Sequence, residues 1–212
     1  MISETLYQTY LKFLLEGQKI SCQEIVKKLL ESGISVENIY THLFQRSLYE
    51  VGSLWEHNQI SVAIEHLATA ITEILMNLVY PQLFSQEHTG RSAVISCIAN
   101  EYHQVGGKMV ADIFEMLGWD GFFLGANTPL KDLIKLVESK KPAVVGLSLS
   151  IFFGMPQLVK TLDVLRLEFP DIPCMVGGQA FRWGGLESIK NRNQVYYIQT
   201  LGDLKTWVLN VS

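Results

Sequence analysis

Apolar residues in the first third of the chain recur at intervals of three and four, the spacing of helices that bury one face. Serines that can cap a helix, and glycines or proline that can end one, divide this region. The predicted helices run from the N-terminus to Gly17, from Ser21 to Gly33, from Ser35 to about Trp55, and from Ser61 to Pro81. In the last of them, Leu67 and Leu75 are expected to face inward. Four such helices predict a small up-and-down bundle.

Beyond this region, short apolar runs alternate with helical spacing. The runs predict strands at 93–98, 121–124, 142–148, 172–176 and 195–198. Helices are predicted at 105–117, 130–137, 157–167 and about 204–209. Continuous apolar runs are typical of parallel strands that are covered on both faces. Five β–α units in succession predict the α/β class, with a doubly wound five-stranded parallel sheet.

A polar stretch at 82–91 separates the two patterns and is interpreted as a linker. We therefore expect a helical domain at 1–82 and an α/β domain at 91–212. Charge supports the division. Residues up to Gly90 include 5 Lys or Arg and 10 Asp or Glu, whereas the rest of the chain has 12 Lys or Arg and 11 Asp or Glu.

Composition narrows the class of protein. The 212 residues are 48% apolar and 18% charged, which excludes a disordered chain. No run of 18 apolar residues and no basic stretch before the first apolar positions occur, so neither a membrane span nor a signal peptide is expected. A net charge of −4 argues against direct binding of nucleic acid. Three widely separated cysteines predict neither disulfides nor a zinc site, and a cytoplasmic location is expected.

Candidate chemistry lies at the carboxyl ends of the predicted strands, where ligands bind to such sheets. Glu101 and His103 follow the first strand, with Gly106 and Gly107 where the next helix starts. Ser148, Leu149 and Ser150 follow the third strand, and Gly177 and Gly178 follow the fourth. Imidazole is a good metal ligand and a carboxylate beside it fixes its tautomer, although an ordinary loop histidine has the same local sequence.

Taken together, Glu101-x-His103-x-x-Gly106, the later serine and the Gly-Gly pair resemble the cobalamin-binding domain of methionine synthase, the corrinoid mutases and the corrinoid methyl carriers. That family has a flavodoxin-like or Rossmann-like fold and usually carries Asp where this chain has Glu101. The resemblance implies that His103 is the lower axial ligand of cobalt and that Ser148 and Gly177–Gly178 line a slot for the displaced dimethylbenzimidazole tail. The cofactor-binding residues implied in this domain are Glu101, His103, Gln104, Val105, Gly106, Ser148, Leu149, Ser150, Gly177 and Gly178.

The helical domain carries a second resemblance. Trp55, nine residues and then Glu65-His66 are similar to a signature of the cobalamin-dependent photoreceptors, the CarH-type and AerR-type regulators, whose helical bundle caps the corrin. The resemblance implies that Trp55 and Val62 border the upper face, that Glu65 accepts a hydrogen bond from a ribose, and that His66 binds cobalt after light removes the upper group. Without a corrinoid, Trp55 would be bundle core and Glu65-His66 a solvated pair.

These resemblances imply a light- or cobalamin-responsive regulator that is not an enzyme. Its cofactor would be adenosylcobalamin or methylcobalamin, with hydroxocobalamin after light. The cap begins near residue 5, which leaves no winged-helix module, so we expect action through a DNA-binding regulator or another signalling protein; a homo-oligomer is left open. The alternatives are a corrinoid methyl carrier of a methyltransferase system and a doubly wound protein with no corrinoid. Trp119, Trp183 and Trp207 are expected to be packing residues.

Overall fold

The computed structural model describes residues 2–84 and 87–211. Met1, Ser85, Gln86 and Ser212 lie outside the described residues, so the predicted linker and the predicted domain ends are described only in part. The chain divides into two compact units, Met1–Leu83 and Phe84–Ser212. Within the described ranges, every helix is too short or too polar to cross a lipid bilayer.

The first unit is helical, as the periodicity predicts. Two of the predicted serine caps are present: the Ser35 hydroxyl accepts from the Asn38 amide and the Ser61 hydroxyl from the Ile64 amide. The helices are α1 (Glu4–Leu15), α2 (Lys19–Glu31), α3 (Val36–Ile39), α4 (Arg46–Glu56), α5 (Val62–Met76) and α6 (Tyr80–Leu83). Tyrosines contribute much of the core, because Tyr7, Tyr10 and Tyr40 are fully buried.

Three details of this unit differ from the prediction. Helix α2 begins at Lys19, so Ser21 lies inside it and bonds the Gln18 side chain instead of capping an amide. Helix α5 ends at Met76, and Pro81 lies within the separate short helix α6, where its fixed φ suits an early helical position. Leu75 is buried as predicted, but Leu67 is exposed.

The predicted third helix is continuous but not uniform. A π-helical segment, Tyr40–Gln45, joins α3 directly to α4. Such segments insert extra backbone into an α-helix and change which residues share a face on its two sides. Tyr40, Leu43 and Phe44 of this segment are fully buried, so it contributes to the core of the bundle.

The second unit contains the predicted sheet. Its strands are β1 (Ser92–Cys97), β2 (Asp120–Phe123), β3 (Val144–Ser148), β4 (Cys174–Gly177) and β5 (Val195–Tyr197). The helices that accompany them are α7 (Val105–Met116), α8 (Leu130–Lys140), α9 (Met155–Glu168) and α10 (Leu201–Val211). All pairs are parallel and the order is β2-β1-β3-β4-β5, which confirms the doubly wound α/β fold.

One β–α unit is incomplete. Residues 178–194, all of which the structure describes, contain no α-helix; two 3-10 turns, Gln179–Trp183 and Leu186–Ser188, connect β4 to β5. Gly184 and Gly185 between them have φ of 126° and 88°, values that side chains rarely adopt. These glycines prevent the two turns from merging into one regular helix.

Helix α7 lies so close to β2 that only glycine fits at position 121. A Cβ atom there would lie 2.5 Å from the carbonyl oxygen of Ala111. We expect Gly121→Ala to lower the free energy of unfolding by about 2 kcal/mol, because backbone must shift to relieve the overlap. The control is Gly52→Ala within α4, where a Cβ meets nothing within 4 Å; we expect it to raise stability by about 0.5–1 kcal/mol. Urea denaturation measures both, and equal midpoints for the two variants would contradict the packing argument.

Candidate functional site

Three strands end level with one another at the edge of the sheet. Cys97 at the end of β1 pairs with Ser148 of β3, and Ser148 pairs with Gly177 of β4. In the order β2-β1-β3, successive strands are added on opposite sides of β1, which makes the crevice between the loops after β1 and β3 the expected ligand site. The two predicted groups that contain His103 and Ser148 therefore belong to one edge.

The Glu101 carboxylate joins these two loops. Its Oε1 accepts from the His103 Nδ1 at 2.6 Å and from the His103 amide at 2.9 Å. Its Oε2 accepts from the amides of Ser150 at 2.7 Å and Ile151 at 3.1 Å. Glu101 is only 2% exposed. The carboxylate therefore has almost no contact with solvent, and hydrogen bonds to a charged acceptor are strong.

These bonds determine the charge of Glu101. Burial by itself raises the pKa of a carboxyl group, but the imidazole and the amides of His103, Ser150 and Ile151 favour the anion and outweigh it. The pKa of Glu101 is consequently lowered from its ordinary value of 4.5. The site holds a buried carboxylate, not a carboxylic acid, at neutral pH.

The carboxylate also fixes the tautomer of His103. Because Glu101 accepts, Nδ1 carries the proton and the lone pair is on Nε2, the atom that binds a metal in such a tautomer. The His103 side chain is 49% exposed, so it reaches the surface of the edge. Burial raises the pKa of the Cys97 thiol to about 12, and this neutral thiol donates to the carbonyl of His103 at 3.6 Å.

The predicted glycines have different environments. A Cβ at Gly106 would meet nothing within 4 Å, so this position adjoins open space at the start of α7. A Cβ at Gly177 would lie 2.8 Å from the Ile198 carbonyl oxygen, and one at Gly178, where φ is 113°, 2.2 Å from the Leu149 carbonyl oxygen. Gly177 and Gly178 are therefore required by their own chain, whatever they do for a ligand.

The other predicted residues of this edge are placed as follows. The Gln104 side chain accepts from the Ala126 amide at 3.2 Å and so ties the β1 loop to the loop after β2. Val105 and Leu149 are buried in the core; the Leu149 amide donates to the carbonyl of Gly177 at the end of β4, and the Leu149 carbonyl accepts from the amide of Ala180. Ser148 and Ser150 are partly exposed. Leu149 could therefore border a ligand only through its backbone atoms.

The helical unit brings its predicted residues to its surface. His66 of α5 has a side chain that is 75% exposed, and its Nδ1 donates to Glu65 Oε2 at 2.5 Å. Glu65 Oε1 accepts from the Thr69 hydroxyl at 3.1 Å, which holds the carboxylate in place. Val62 is exposed one turn before His66, and Trp55 is 42% exposed near the end of α4. The interpretation of Trp55 as bundle core is wrong.

Sequence reasoning missed two features of the site. The amides of Ser150 and Ile151 hold Glu101, yet backbone donors have no residue signature. Asn127 also takes part: its amide donates to the Glu101 carbonyl at 2.8 Å, and its side chain accepts from the Asn100 amide at 2.8 Å. Both Asn100 and Asn127 have positive φ, which asparagine tolerates better than most residues, so an Asn in each loop was the available signal.

The expectation that Trp183 is a packing residue is also wrong, since it is 70% exposed.

Comparison with known proteins defines the class that this fold and site belong to. Residues 91–203 match the family model described as the B12 binding domain, and residues 6–80 match a second model with the same description. The first match alone covers more than half of the chain, so the chain belongs to the family of proteins with a B12 binding domain. It is a cobalamin-binding protein, and the predicted resemblance to the CarH-type family is confirmed.

Relatives fall into two groups. The chain is 31% identical over 137 residues to the HTH-type transcriptional repressor CarH of Myxococcus xanthus. The aligned residues are 64% of this chain and 45% of the repressor. It is 22% identical over 160 residues to trimethylamine corrinoid protein 1 of Methanosarcina acetivorans. That alignment covers 73% of this chain and 74% of the corrinoid protein. The chain thus spans less than half the length of the repressor.

The fold also has a solved counterpart. The monomethylamine corrinoid protein of Methanosarcina barkeri superposes with a TM-score of 0.81 over 99% of both chains, at 18% identity. At that identity the likeness shows the fold alone. The site residues fit the cofactor on this structure's own geometry, because His103 has its Nε2 lone pair at the edge and Gly106 adjoins open space. Among the described residues, no group of three or more His, Cys, Asp or Glu side chains is arranged to hold a metal ion.

Glu101 should make the stability of the protein sensitive to acid. Its pKa is lower in the folded chain than in the unfolded one, so its stabilisation is complete above 4.5 and is lost as the pH falls through the folded value. At neutral pH we expect Glu101→Gln to cost about 2 kcal/mol, because charged hydrogen bonds are lost. The cost should shrink as the pH is lowered below 4.5.

Urea unfolding at a series of pH values measures this difference. The matched control is Glu138→Gln, which removes an exposed carboxylate of α8 and leaves all four bonds of Glu101 in place. A constant difference between wild type and Glu101→Gln from neutral to acid pH would contradict the assignment of Glu101 as a buried anion.

Proposed function

We propose that this protein is a light-responsive cobalamin sensor and regulator that acts through a protein partner. In this proposal His103 is the lower axial ligand of cobalt. Its support is the geometry of the edge: Glu101 accepts from Nδ1, so the lone pair of the ring is on Nε2, and the carboxylate makes the imidazole a stronger ligand. Ser148, Ser150, Gly177 and Gly178 would border the displaced tail, and Gln104, Val105 and Gly106 the corrin.

The observation that carries the sensor proposal is a second imidazole–carboxylate pair. His66 donates from Nδ1 to Glu65 at 2.5 Å, much as His103 donates to Glu101 at 2.6 Å. Both histidines therefore have the lone pair on Nε2. A histidine whose second nitrogen is held by a carboxylate is the usual form of a metal ligand. This pair supports our proposal that His66 is the upper ligand of cobalt after light.

Trp55, Val62 and Glu65 have supporting roles in this proposal. Bound adenosylcobalamin or methylcobalamin supplies a cobalt–carbon bond that light cleaves. The exposed indole of Trp55 and the side chain of Val62 offer apolar surface against the organic upper group, and Glu65 offers an acceptor for a ribose hydroxyl. After loss of the organic group, His66 would hold the cobalt through Nε2, and this bond would stabilise the lit state.

The proposed partner is a DNA-binding regulator or another signalling protein. CarH, a relative that is a transcriptional repressor, supports a role in gene regulation. The net charge of −4 disfavours direct binding of DNA by this chain, because phosphate neutralisation supplies most of such affinity. The addition of His66 as a second imidazole ligand of cobalt would alter the surface that the partner meets.

A corrinoid methyl carrier is the second candidate. It is favoured by the likeness to trimethylamine corrinoid protein 1, which covers 73% of this chain and 74% of that protein. Such a carrier must offer the upper face of a reduced, nucleophilic cobalt to its partners. A prepared imidazole such as His66 would compete for that face, which is why we prefer the sensor.

Loss of the lower ligand tests the first step. We expect His103→Ala to weaken binding of adenosylcobalamin in the dark by about tenfold or more, as loss of a metal ligand or its support does. Its bound spectrum should be that of cobalamin without a protein imidazole. The control is His88→Ala, which removes another imidazole–carboxylate contact of the same unit, 2.9 Å from Asp120. Absorption spectra and equilibrium dialysis measure both; unchanged affinity and spectrum in His103→Ala would refute the assignment.

Loss of the second imidazole tests the switch. We expect His66→Ala to bind adenosylcobalamin in the dark like wild type and to lose the upper group in green light. Its lit spectrum should resemble that of hydroxocobalamin bound through one imidazole, whereas the wild-type lit spectrum should show two. The control is His57→Ala, which removes another imidazole of the helical unit, one whose Nδ1 lies 2.7 Å from the carbonyl oxygen of Ser53. We expect its lit spectrum to match that of wild type.

The two candidate functions differ in this experiment. Identical lit spectra in wild type and His66→Ala would remove the support for the sensor and favour the methyl carrier. A further arm adds methylcobalamin and a reductant in the dark: a sensor should keep its methyl group, and a carrier should give it up to a thiol acceptor when the cognate methyltransferase is present.

A further inference from the structure

Helix α4 carries a glycine where the bundle leaves a space unfilled. A Cβ atom at Gly52 would meet nothing within 4 Å, although the residue is partly buried and its φ is not left-handed. Glycine inside a helix is less stable than alanine, and no contact within the protein excludes a methyl group here. The packing of the bundle therefore does not account for glycine at this position. We call the space beside Gly52 the α4 notch.

The α4 notch lies level with His66. Helix α4 ends at Glu56 and α5 begins at Val62, and the two helices pack against each other on either side of the loop 57–61. Packed helices joined by so short a loop are antiparallel, so residues equally far from the loop lie at the same height. Gly52 is four residues before the end of α4, and His66 is four residues after the start of α5.

Trp55 stands on the same side of α4 as the α4 notch, because residues three apart in a helix are neighbours on its surface. Its indole is partly exposed, and none of its atoms lies within 4 Å of the Cβ position of Gly52. On α5, Val62 is exposed one turn before His66. The α4 notch therefore adjoins the surface to which the proposed function assigns the upper group of the cofactor.

We propose that Gly52 is a specificity-determining residue whose missing side chain sets the size of the upper group that the helical unit accepts. A methyl group on cobalt is a single carbon atom and needs no further room. An adenosyl group adds a ribose and a purine, and the flat purine can stack on an indole. The α4 notch offers room for such a group beside Trp55. Gly52 has this role only if the proposed function holds, and neither resemblance assigns it one.

Substitutions that fill the α4 notch test this role. Alanine and leucine are good helix formers, so Gly52→Ala and Gly52→Leu keep α4 helical while they add side chains of increasing size. We expect Gly52→Leu to weaken binding of adenosylcobalamin in the dark by about tenfold or more, because the upper group then meets an occupied space. Gly52→Ala should cause a smaller loss of the same kind. Binding of methylcobalamin should change by less than about twofold in both, since its upper group does not reach the filled space.

The matched control is Ser53→Leu. It adds a leucine to the same turn of α4, at an exposed position that is rotated by about 100° from Gly52 around the helix axis. We expect it to change neither affinity. Equilibrium dialysis in the dark measures each affinity, and urea unfolding without cofactor shows whether each variant is folded. Gly52→Ala, which we expect to be more stable than wild type, decides the result if leucine disturbs the bundle.

The ratio of the two affinities separates the outcomes. Equal losses for both cobalamins in the Gly52 variants, no loss for adenosylcobalamin, or an equal loss in Ser53→Leu would each overturn the role of Gly52. A wild-type protein that binds methylcobalamin but not adenosylcobalamin would overturn it as well. A wild-type protein that binds neither cobalamin refutes the proposed function, whereas binding of both, with the same ratio in every variant, refutes the role of Gly52 alone.

Discussion

The site depends on one buried carboxylate. A carboxylate in the interior costs several kcal/mol unless hydrogen bonds replace the water it has lost. Glu101 obtains four, three of them from backbone amides in two loops that lie nearly fifty residues apart in the chain. Those amides are available only when both loops have their native conformation. The conformations of the loops, the tautomer of His103 and the ionisation of Glu101 therefore stabilise one another.

Local patterns predicted most of the fold. Continuous apolar runs located every strand to within two residues, because strands covered on both faces tolerate few polar side chains. Ser35 and Ser61 marked helix starts because their hydroxyls satisfy amides within the same segment. Ser21 did not, since α2 extends past it to Lys19 without any side-chain cap. The connection after β4 also escaped prediction, because its geometry follows from the positive φ of Gly184 and Gly185, which leaves no mark in the apolar pattern.

The candidate site also combines contacts that the sequence predicts with contacts that only the fold creates. The Glu101–His103 pair could be predicted because its two members are neighbours in sequence, and Glu65–His66 for the same reason. The bonds from Ser150 and Ile151 could not, because any residue supplies a backbone amide and only the fold brings it near. Leu149 shows that neighbours in sequence can differ in environment: it directly follows the partly exposed Ser148, yet its own side chain is buried in the core.

The π-helical segment Tyr40–Gln45 has a consequence for the residue at the far end of its helix. Successive residues of an α-helix are rotated by about 100° around its axis, so one residue of extra backbone turns everything beyond it by that angle. Trp55 stands after this segment and Ile39 before it. A shortening of Tyr40–Gln45 by one residue would restore regular helix and point the indole in a different direction, although the tryptophan and its neighbours were unaltered. The direction of this indole is thus set by chain length in a segment more than two helical turns away, and natural variants of that length would differ in which surface of the bundle carries the ring.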